Sequence, residues 1–535
     1  MKKTTLLSAS MLAPVLLPST ASASAEEPKQ PNVIIILADD LGYGDMEPYG
    51  ATRVKTPAVN RLAEEGTTFT NVHAVAATST PSRYSLLTGE YAWRRNDTEV
   101  AAGNAGMIIR PTQYTMADMF RNAGYRTAAI GKWHLGLGEK TGEQDWNAPL
   151  PASLADIGFD YHYIMAATAD RVPCVFIEDG AVANYDPDAP IYVSYKANFE
   201  GEPTGRDNPE LLTNLRHSHG HDMSIVNGIG RIGFMKGGGK ALWKDENIAD
   251  SITDHAIDFI RENANSDEPF FMYLCTNDVH VPRFPHERFR GKNEMGLRGD
   301  AIAQFDWTVG RVLDTLDSLG IADNTLVILS SDNGPVLDDG YDDHAEELVG
   351  DHSPTGPFRG NKYSAFEGGT MVPAIVRWPG HVPDGVKNNT LMSHIDWMAS
   401  LGSLIGARLP QGAAPDSQNR IGNLLGTDLT DAPWIIEQSN CLSVRTPRWK
   451  YIEPNDGKPM ITWGPKVETG YASLPQLYDM SSDTGETKNV ALEHPDVVYD
   501  LQNVVRRTRA RRGYTGSQTI GSTGHQPLFF PKRTE

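Results

Sequence analysis

The residue pattern predicts an α/β protein: a large, mostly parallel sheet covered by helices on both faces, followed by a smaller C-terminal α+β domain. Three observations carry this expectation. Val33–Ala38 is an unbroken apolar run, as a strand buried on both faces requires. Short runs of this kind alternate with segments whose apolar residues recur at helical spacing, the pattern of βα units. Several of the runs then end directly in chemically loaded polar residues, as expected along the carboxyl edge of an open α/β sheet.

Along the chain, Lys2 and Lys3, the apolar stretch Leu6–Leu17 and a small-residue site at Ala21-Ser22-Ala23 or Ala23-Ser24-Ala25 read as a secretory leader over residues 1–25. The stretch is too short and too interrupted for a membrane span, and no cysteine near the cleavage site suggests a lipid anchor. After the Val33 strand, Val59, Leu62 and Ala63 mark a helix closing at Gly66. Ser79-Thr80-Pro81-Ser82-Arg83 starts another, since proline suits a first helical turn where its missing N–H costs nothing. Thr115–Ala123 is a helix with Thr115 and Asp118 spaced as a capping box and Gly124 beyond. Thr127–Ile130 is a strand; Ile248, Ile252, Ala256 and Phe259 mark a helix; Phe270–Cys275 is a strand. Ile302 through Leu316 is a helix and Leu326–Leu329 the next strand. Beyond about residue 430 the texture changes to short strands at Trp449–Tyr451 and Leu477–Asp479 and a helix carrying Val497, Leu501 and Val505. Its Arg506, Arg507, Arg509, Arg511 and Arg512 read as a solvated face. The expected division is 1–25, 26–430 and 431–535.

The formal charge of −20, or −22 once Lys2 and Lys3 leave with the leader, argues against general nucleic-acid affinity. It leaves room for a small anion, because a local cluster of cations can dominate its own cleft. Cys174, Cys275 and Cys441 are the only cysteines, so no disulfide framework is indicated, and Cys275 belongs to a buried run. A periplasmic or secreted protein acting away from membranes is expected.

Four strand ends carry the chemistry. Asp39-Asp40 follows the first strand, Lys132-Trp133-His134 the second, Asn277-Asp278-Val279-His280 the third and Asp332-Asn333-Gly334 the fourth. Asp39, Asp40, Asp332 and Asn333 supply only oxygen, which suits a hard cation such as Ca²⁺ or Mg²⁺ rather than zinc. Singly, each such pair also serves as a turn or a helix cap. Ser79 equally has two readings: an ordinary cap, or a nucleophile at a helix start whose free N–H groups attract anions.

The set of motifs resembles the type I sulfatases. The resemblance runs through Ile34–Asp40 with Leu41-Gly42-Tyr43-Gly44-Asp45, Ser79-Thr80-Pro81-Ser82-Arg83 with Thr88-Gly89, and Gly131–Gly136. It continues through His280, Ser331–Gly334, Gly360-Asn361-Lys362 with Glu367-Gly368-Gly369, and Leu477-Tyr478-Asp479, covering roughly residues 31–480. The resemblance implies an alkaline-phosphatase-like fold with a catalytic domain over 26–430. It implies conversion of Ser79 to formylglycine, and Asp39, Asp40, Asp332, Asn333 and residue 79 holding one Ca²⁺, in preference to Mg²⁺. Arg83 would stabilise the formylglycine hydrate, and Lys132, His280 and Lys362 would contact sulfate oxygens. A diol oxygen would attack sulfur while His280 protonates the leaving oxygen; His134 would then deprotonate the second diol oxygen, which expels sulfate. Serine in place of the commoner cysteine implies a radical-type sulfatase-maturating enzyme as a partner in biogenesis and a bacterial, anaerobic source. Met371 stands where many relatives carry arginine, which removes a frequent contact.

His217-Ser218-His219-Gly220-His221 alternates as a zinc-binding strand face does, but loop histidines fit the polar stretch better. His221-Asp222 with Met223–Gly228, Asp170-Arg171-Val172-Pro173-Cys174 and Gly350-Asp351-His352 resemble the galactosamine-6-sulfatase branch of bacterial carbohydrate sulfatases. On that resemblance Asp170, Arg171 and His221 are sugar-binding candidates. The implied substrate is a sulfated glycan, desulfated by exo action at galactose or N-acetylgalactosamine, at O6 before O3 or O4. Alternatives are a phosphomonoester or phosphonate hydrolase using unmodified Ser79, and an inactive sulfated-glycan-binding protein.

Overall fold

The computed structural model describes Met1 and residues 30–462 and 464–510. The expected leader and Arg511 and Arg512 lie outside them. The backbone is organised around an eleven-stranded sheet. Its strands are β1 (Asn32–Ala38), β2 (Thr67–His73), β3 (Arg126–Lys132), β4 (Tyr161–Met165), β5 (Phe176–Glu178), β6 (Ala181–Val182), β7 (Phe270–Cys275), β8 (Thr325–Ser331), β9 (Met371–Arg377), β10 (Val386–Asn388) and β11 (Met392–Ser393). The spatial order is β10-β2-β9-β8-β1-β7-β3-β4-β5-β6, with β11 also on β2.

The centre, β8-β1-β7-β3-β4, is parallel throughout, with Ile35 opposite both Tyr273 and Ile328. The sheet is mostly parallel, as expected, with β10 and β11 parallel to β2, but it is mixed: β9 runs antiparallel to β8 and β2, and β5 to β4 and β6. An apolar run reads the same in either direction, which is why β9 betrays nothing of its sense. Every residue of β1, β7 and β8 is buried, so both faces are covered. Ile248–Asn263 packs on Gly296–Ser318, which packs on Pro57–Glu64; a separate group joins Ser79–Thr88, Met116–Asn122 and Trp397–Leu404. Thr115 and Asp118 form the expected capping box.

The C-terminal part is a four-stranded antiparallel sheet of β12 (Ile435–Gln438), β13 (Leu442–Arg445), β14 (Trp449–Ile452) and β15 (Gln476–Asp479). The helix Pro495–Ala510 packs on β13 through a core that includes Val498, Leu501 and Val505. The arginine row is only partly solvated: Arg506 and Arg507 are exposed, but Arg509 forms a bidentate pair with Glu453 at 2.5 and 2.8 Å. The small sheet is also stitched to the large one. Gln438 of β12 donates its N–H to Val75 O (3.0 Å) and accepts from Ala77 N (2.8 Å), just ahead of Ser79. All three cysteines are free. Among the described residues no helix is long and apolar enough to cross a membrane.

Candidate active site

Because β1, β3, β7 and β8 are parallel neighbours, their carboxyl ends open on one edge, and the residues that follow them converge there. Ser79 opens the helix Ser79–Thr88, with Thr78 as the N-cap. Neither Ser79 nor Thr80 caps this helix. Ser79 Oγ stands 3.4 Å from Asp39 Oδ1 and 3.3 Å from Asn333 Oδ1, and accepts a hydrogen bond from Lys132 Nζ (2.8 Å). Lys132 also donates to Asp39 Oδ2 (2.6 Å). One helical turn on, Arg83 reaches back to Asp332 Oδ2 through Nε (3.0 Å) and Nη2 (2.8 Å). Asn333 Nδ2 donates to Asp40 Oδ1 (2.7 Å), which leaves the Asn333 Oδ1 lone pairs turned toward Ser79. Lys362 Nζ donates to Asp40 Oδ2 (2.8 Å) and to Asp339 Oδ2 (2.9 Å).

Asp39, Asp40, Asp332 and Asn333 are all 0% exposed. Such a set is costly unless it is compensated. Burial pushes the Asp39 carboxyl above its ordinary value; Lys132 and His280 pull it down but do not overcome burial together with repulsion from Asp332 and Asp40. Asp332 is held low instead: burial is outweighed by Arg83 and Lys132. Asp39 and Asp40 lie close together, with Asn333 Oδ1 and Asp332 beside them, and Asp39 is short of positive charge; this oxygen set fits a hard divalent cation.

The two histidines differ. His134 Nε2–H donates to Ala101 O (3.0 Å), while Nδ1 is buried without a hydrogen-bond partner. Burial, with Lys132, Arg171 and Arg83 nearby, holds its pKa well below the ordinary 6.5, so it is a neutral imidazole with a free lone pair. His280 Nδ1 bonds Val281 O (2.6 Å) and its Nε2 lies 3.8 Å from Asp40 Oδ2. Asp39, Asp40 and His280 approach one another closely enough to be a metal cluster in their own right, but the oxygen-only set better suits a hard ion.

A cavity of about 310 Å³ opens onto this centre, lined by Ser79, His134, His280 and Lys362 together with Asp170, Arg171 and His221. Asp170 accepts from His221 Nε2 (2.9 Å) and Arg171 Nη1 (2.9 Å). Every site residue singled out in the sequence therefore lies at this centre or on this cavity.

Residues 31–407 match the sulfatase family model. The chain is a member of the sulfatase family. It is 51% identical over 490 residues to a Bacteroides thetaiotaomicron N-acetylgalactosamine-6-O-sulfatase, covering 91% of this chain and 95% of that one. A rat steryl-sulfatase is 31% identical over 427 residues, covering 74% and 70% of the two chains. A solved structure concerned with metabolism of multiple glycosaminoglycans by Bacteroides thetaiotaomicron superposes with a TM-score of 0.88 at 51% identity, covering 90% of this chain and all of that one. The chain thus has the alkaline-phosphatase-like sulfatase fold and is a sulfuric ester hydrolase.

Residues that the sequence did not mark out also border the cavity of this sulfatase. Asp339 and Tyr363 line the cavity, and Tyr363 Oη donates to Asp339 Oδ1 (3.0 Å). The doubled Asp338-Asp339 before Gly340, only a few residues past Asn333, was the available signal. The His217–His221 segment is a loop: His219 and His221 line the cavity, and His217 instead forms a lone bridge with Tyr341. Met371 begins β9 opposite His73.

Proposed function

We propose that this sulfatase is an exo-acting, exported enzyme that removes a 6-O-sulfate from N-acetylgalactosamine or galactose, with Ser79 matured to formylglycine by a radical-type maturating enzyme and one Ca²⁺ at the acidic centre. The observation that carries this reading is the meeting, on one cavity, of Ser79, His280 and Lys362, with Lys132 bonded to Ser79 Oγ from behind, and the polar group Asp170, Arg171 and His221. The 51% identity to the Bacteroides enzyme supports the choice of sugar and position.

Asp39, Asp40, Asp332, Asn333 and residue 79 would hold the cation. When bound, the cation supplies Lewis-acid stabilisation of negative charge, and formylglycine supplies a geminal diol in place of a single hydroxyl. The side chains do the rest. Lys132 and Lys362 bind and orient the sulfate oxygens, and Arg83 fixes Asp332 so that its oxygens stay aimed at the centre. His280, anchored at Nδ1 by Val281 O, holds a proton on Nε2 for the departing sugar oxygen. His134, neutral with its tautomer set by Ala101 O, takes a proton from residue 79 at Nδ1.

The test is twofold. Peptide mass analysis after co-expression with a radical-type maturating enzyme should find residue 79 lighter than serine by two hydrogens. Sulfate release from singly sulfated galactose, N-acetylgalactosamine and glucosamine sugars should then favour the galacto-configured 6-O-sulfates. Unmodified Ser79 with phosphatase activity, or binding without sulfate release from any sugar, would overturn the reading.

A further inference from the structure

We propose that Asp339 is a specificity-determining residue: with Asp170 it forms a carboxylate wall that accepts a free hydroxyl beside the scissile ester and rejects a second sulfate there. The proposal rests on the reading of the cavity as a sulfated-sugar site and deepens it.

Asp339 lines the same cavity as Ser79, His280, Asp170 and His221, and its side chain keeps 12% exposure within otherwise buried surroundings. It cannot turn away. Lys362 Nζ (2.9 Å) and Tyr363 Oη (3.0 and 3.2 Å) hold it from one side. Tyr363 sits in the left-handed region at φ +75°, and its N–H is tied to Ala77 O (2.9 Å). On the other side Gly340, with a φ of +116° and a missing Cβ that would lie 1.9 Å from His221 Nδ1, lets the chain after Asp339 pass close against His221. Asp339 therefore sits beside His221 while bonded to Lys362.

Both carboxylates remain charged. Burial would raise Asp339, but Lys362, His280 and His221 hold it at about 2. Burial would raise Asp170, but Arg171 and the His221 hydrogen bond hold it well below the usual range. Asp339 is bonded to Lys362 Nζ (2.9 Å), the proposed sulfate ligand, Asp170 to His221 Nε2 (2.9 Å), and both carboxylates line the cavity that His280 also lines. A carboxylate only accepts hydrogen bonds. A neighbouring hydroxyl can donate to it, whereas a sulfate has no proton to give and adds like charge, the kind of repulsive element that creates specificity. It follows that a hexosamine sulfated at two adjacent positions must lose the other sulfate to a different sulfatase before this one acts.

The experiment compares kcat/KM for N-acetylgalactosamine 6-O-sulfate and 4,6-di-O-sulfate with matured wild type and Asp339→Asn, which keeps an acceptor for Lys362 and Tyr363. The expected result is a preference of at least ~10-fold for the singly sulfated sugar, falling several-fold in the variant. Equal rates in the wild type, or a variant that slows both sugars in the same ratio, would overturn the proposal; the latter outcome would reduce Asp339 to a support for Lys362. Should Asp339→Asn fail to fold, the wild type decides alone: N-acetylgalactosamine must inhibit more tightly than N-acetylgalactosamine 4-O-sulfate, and the reverse order overturns the proposal. If no 6-O-sulfate is cleaved, the functional reading fails by itself. The comparison is then made with whichever singly sulfated sugar is cleaved and its doubly sulfated counterpart.

Discussion

Replacing Lys450 by methionine tests how the small sheet supports the reacting centre. Lys450 is 0% exposed and bonds Glu437 as well as Glu367 Oε2 (3.1 Å). Glu486, pushed up to about 8 chiefly by burial, carries its proton at neutral pH, so Lys450 and Arg445 balance Glu367 and Glu437. Methionine fills the same volume but leaves one negative charge uncompensated. Removing one partner of a buried pair costs about 3–5 kcal/mol. Here the lower end applies, because His73 Nδ1 (2.8 Å) and Ser443 Oγ (3.1 Å) still bond Glu437, and Arg445 Nε (2.8 Å) still bonds Glu367. We expect a loss of about 3 kcal/mol at neutral pH in urea unfolding. The pH dependence is diagnostic. In the wild type, burial raises Glu437 but Lys450 and His73 pull it below its ordinary value. Its contribution is thus present above the unfolded glutamate pKa and lost as pH falls through the depressed folded value. Without Lys450 the carboxylate is raised instead, its penalty is relieved by protonation, and the gap between variant and wild type narrows from about pH 7.5 to about pH 5. A loss below about 1 kcal/mol, or a gap that widens toward acid, would refute the reasoning. Activity should fall too, because Glu437 adjoins Gln438, whose backbone holds Val75 and Ala77 ahead of Ser79.

Three further outcomes are expected. His280→Ala should lower kcat on sugar sulfates by ~10²–10⁴-fold and on 4-nitrophenyl sulfate far less, since a nitrophenolate leaves without a proton; equal losses on both would remove the general-acid role. Because His134 is held below 6.5 by burial and by the Lys132, Arg171 and Arg83 charges, its unprotonated form persists as pH falls through 6.5, and the acid limb of kcat should lie below that value. A pH–kcat profile with its midpoint above 6.5 that flattens in His134→Ala would contradict this. Gly340→Ala, which drives a Cβ into His221 at a φ of +116°, should raise KM for the sugar sulfate while leaving kcat/KM for an aryl sulfate nearly unchanged, as initial-rate kinetics on the two substrates would show.

The central sheet was legible because strands buried on both faces must be written as unbroken apolar runs, as in Val33–Ala38 and Phe270–Cys275. Asp39, Asp40, Lys132, His134, His280, Asp332 and Asn333 were legible because they follow such runs directly, whereas Arg83, Lys362, Asp170, Arg171 and His221 were marked only by the family resemblance. Neither argument reaches Asp339, which lies in a turn and gains its meaning only from Lys362, 23 positions on. Nor does it reach Glu437, which meets His73 across 364 positions. The sense of β9 and the pairing of Arg509 with Glu453 are likewise matters of tertiary partnership, invisible to local spacing. His73, Glu367 and Glu437 come close enough to hold a metal. Lys450 already supplies the cation there, so the group is structural in character.

The backbone around the cavity shows how these pieces serve one end. Asp40 (φ 57°), His134 (φ 59°), His221 (φ 50°) and Tyr363 (φ 75°) all adopt the left-handed region that non-glycine residues avoid. Each such residue costs of order 1 kcal/mol and persists only where its surroundings over-determine it. The surroundings do so here: Asn333 and Lys362 bond the Asp40 carboxylate, Ala101 O holds His134, Asp170 holds His221, and Asp339 holds Tyr363. Three of these anchors, Lys362, Asp170 and Asp339, themselves line the cavity. Strain at one residue is therefore supported by the polar network that the next residue completes. Loosening any single anchor should disturb the geometry of its neighbours as well, so double variants among these residues should be non-additive.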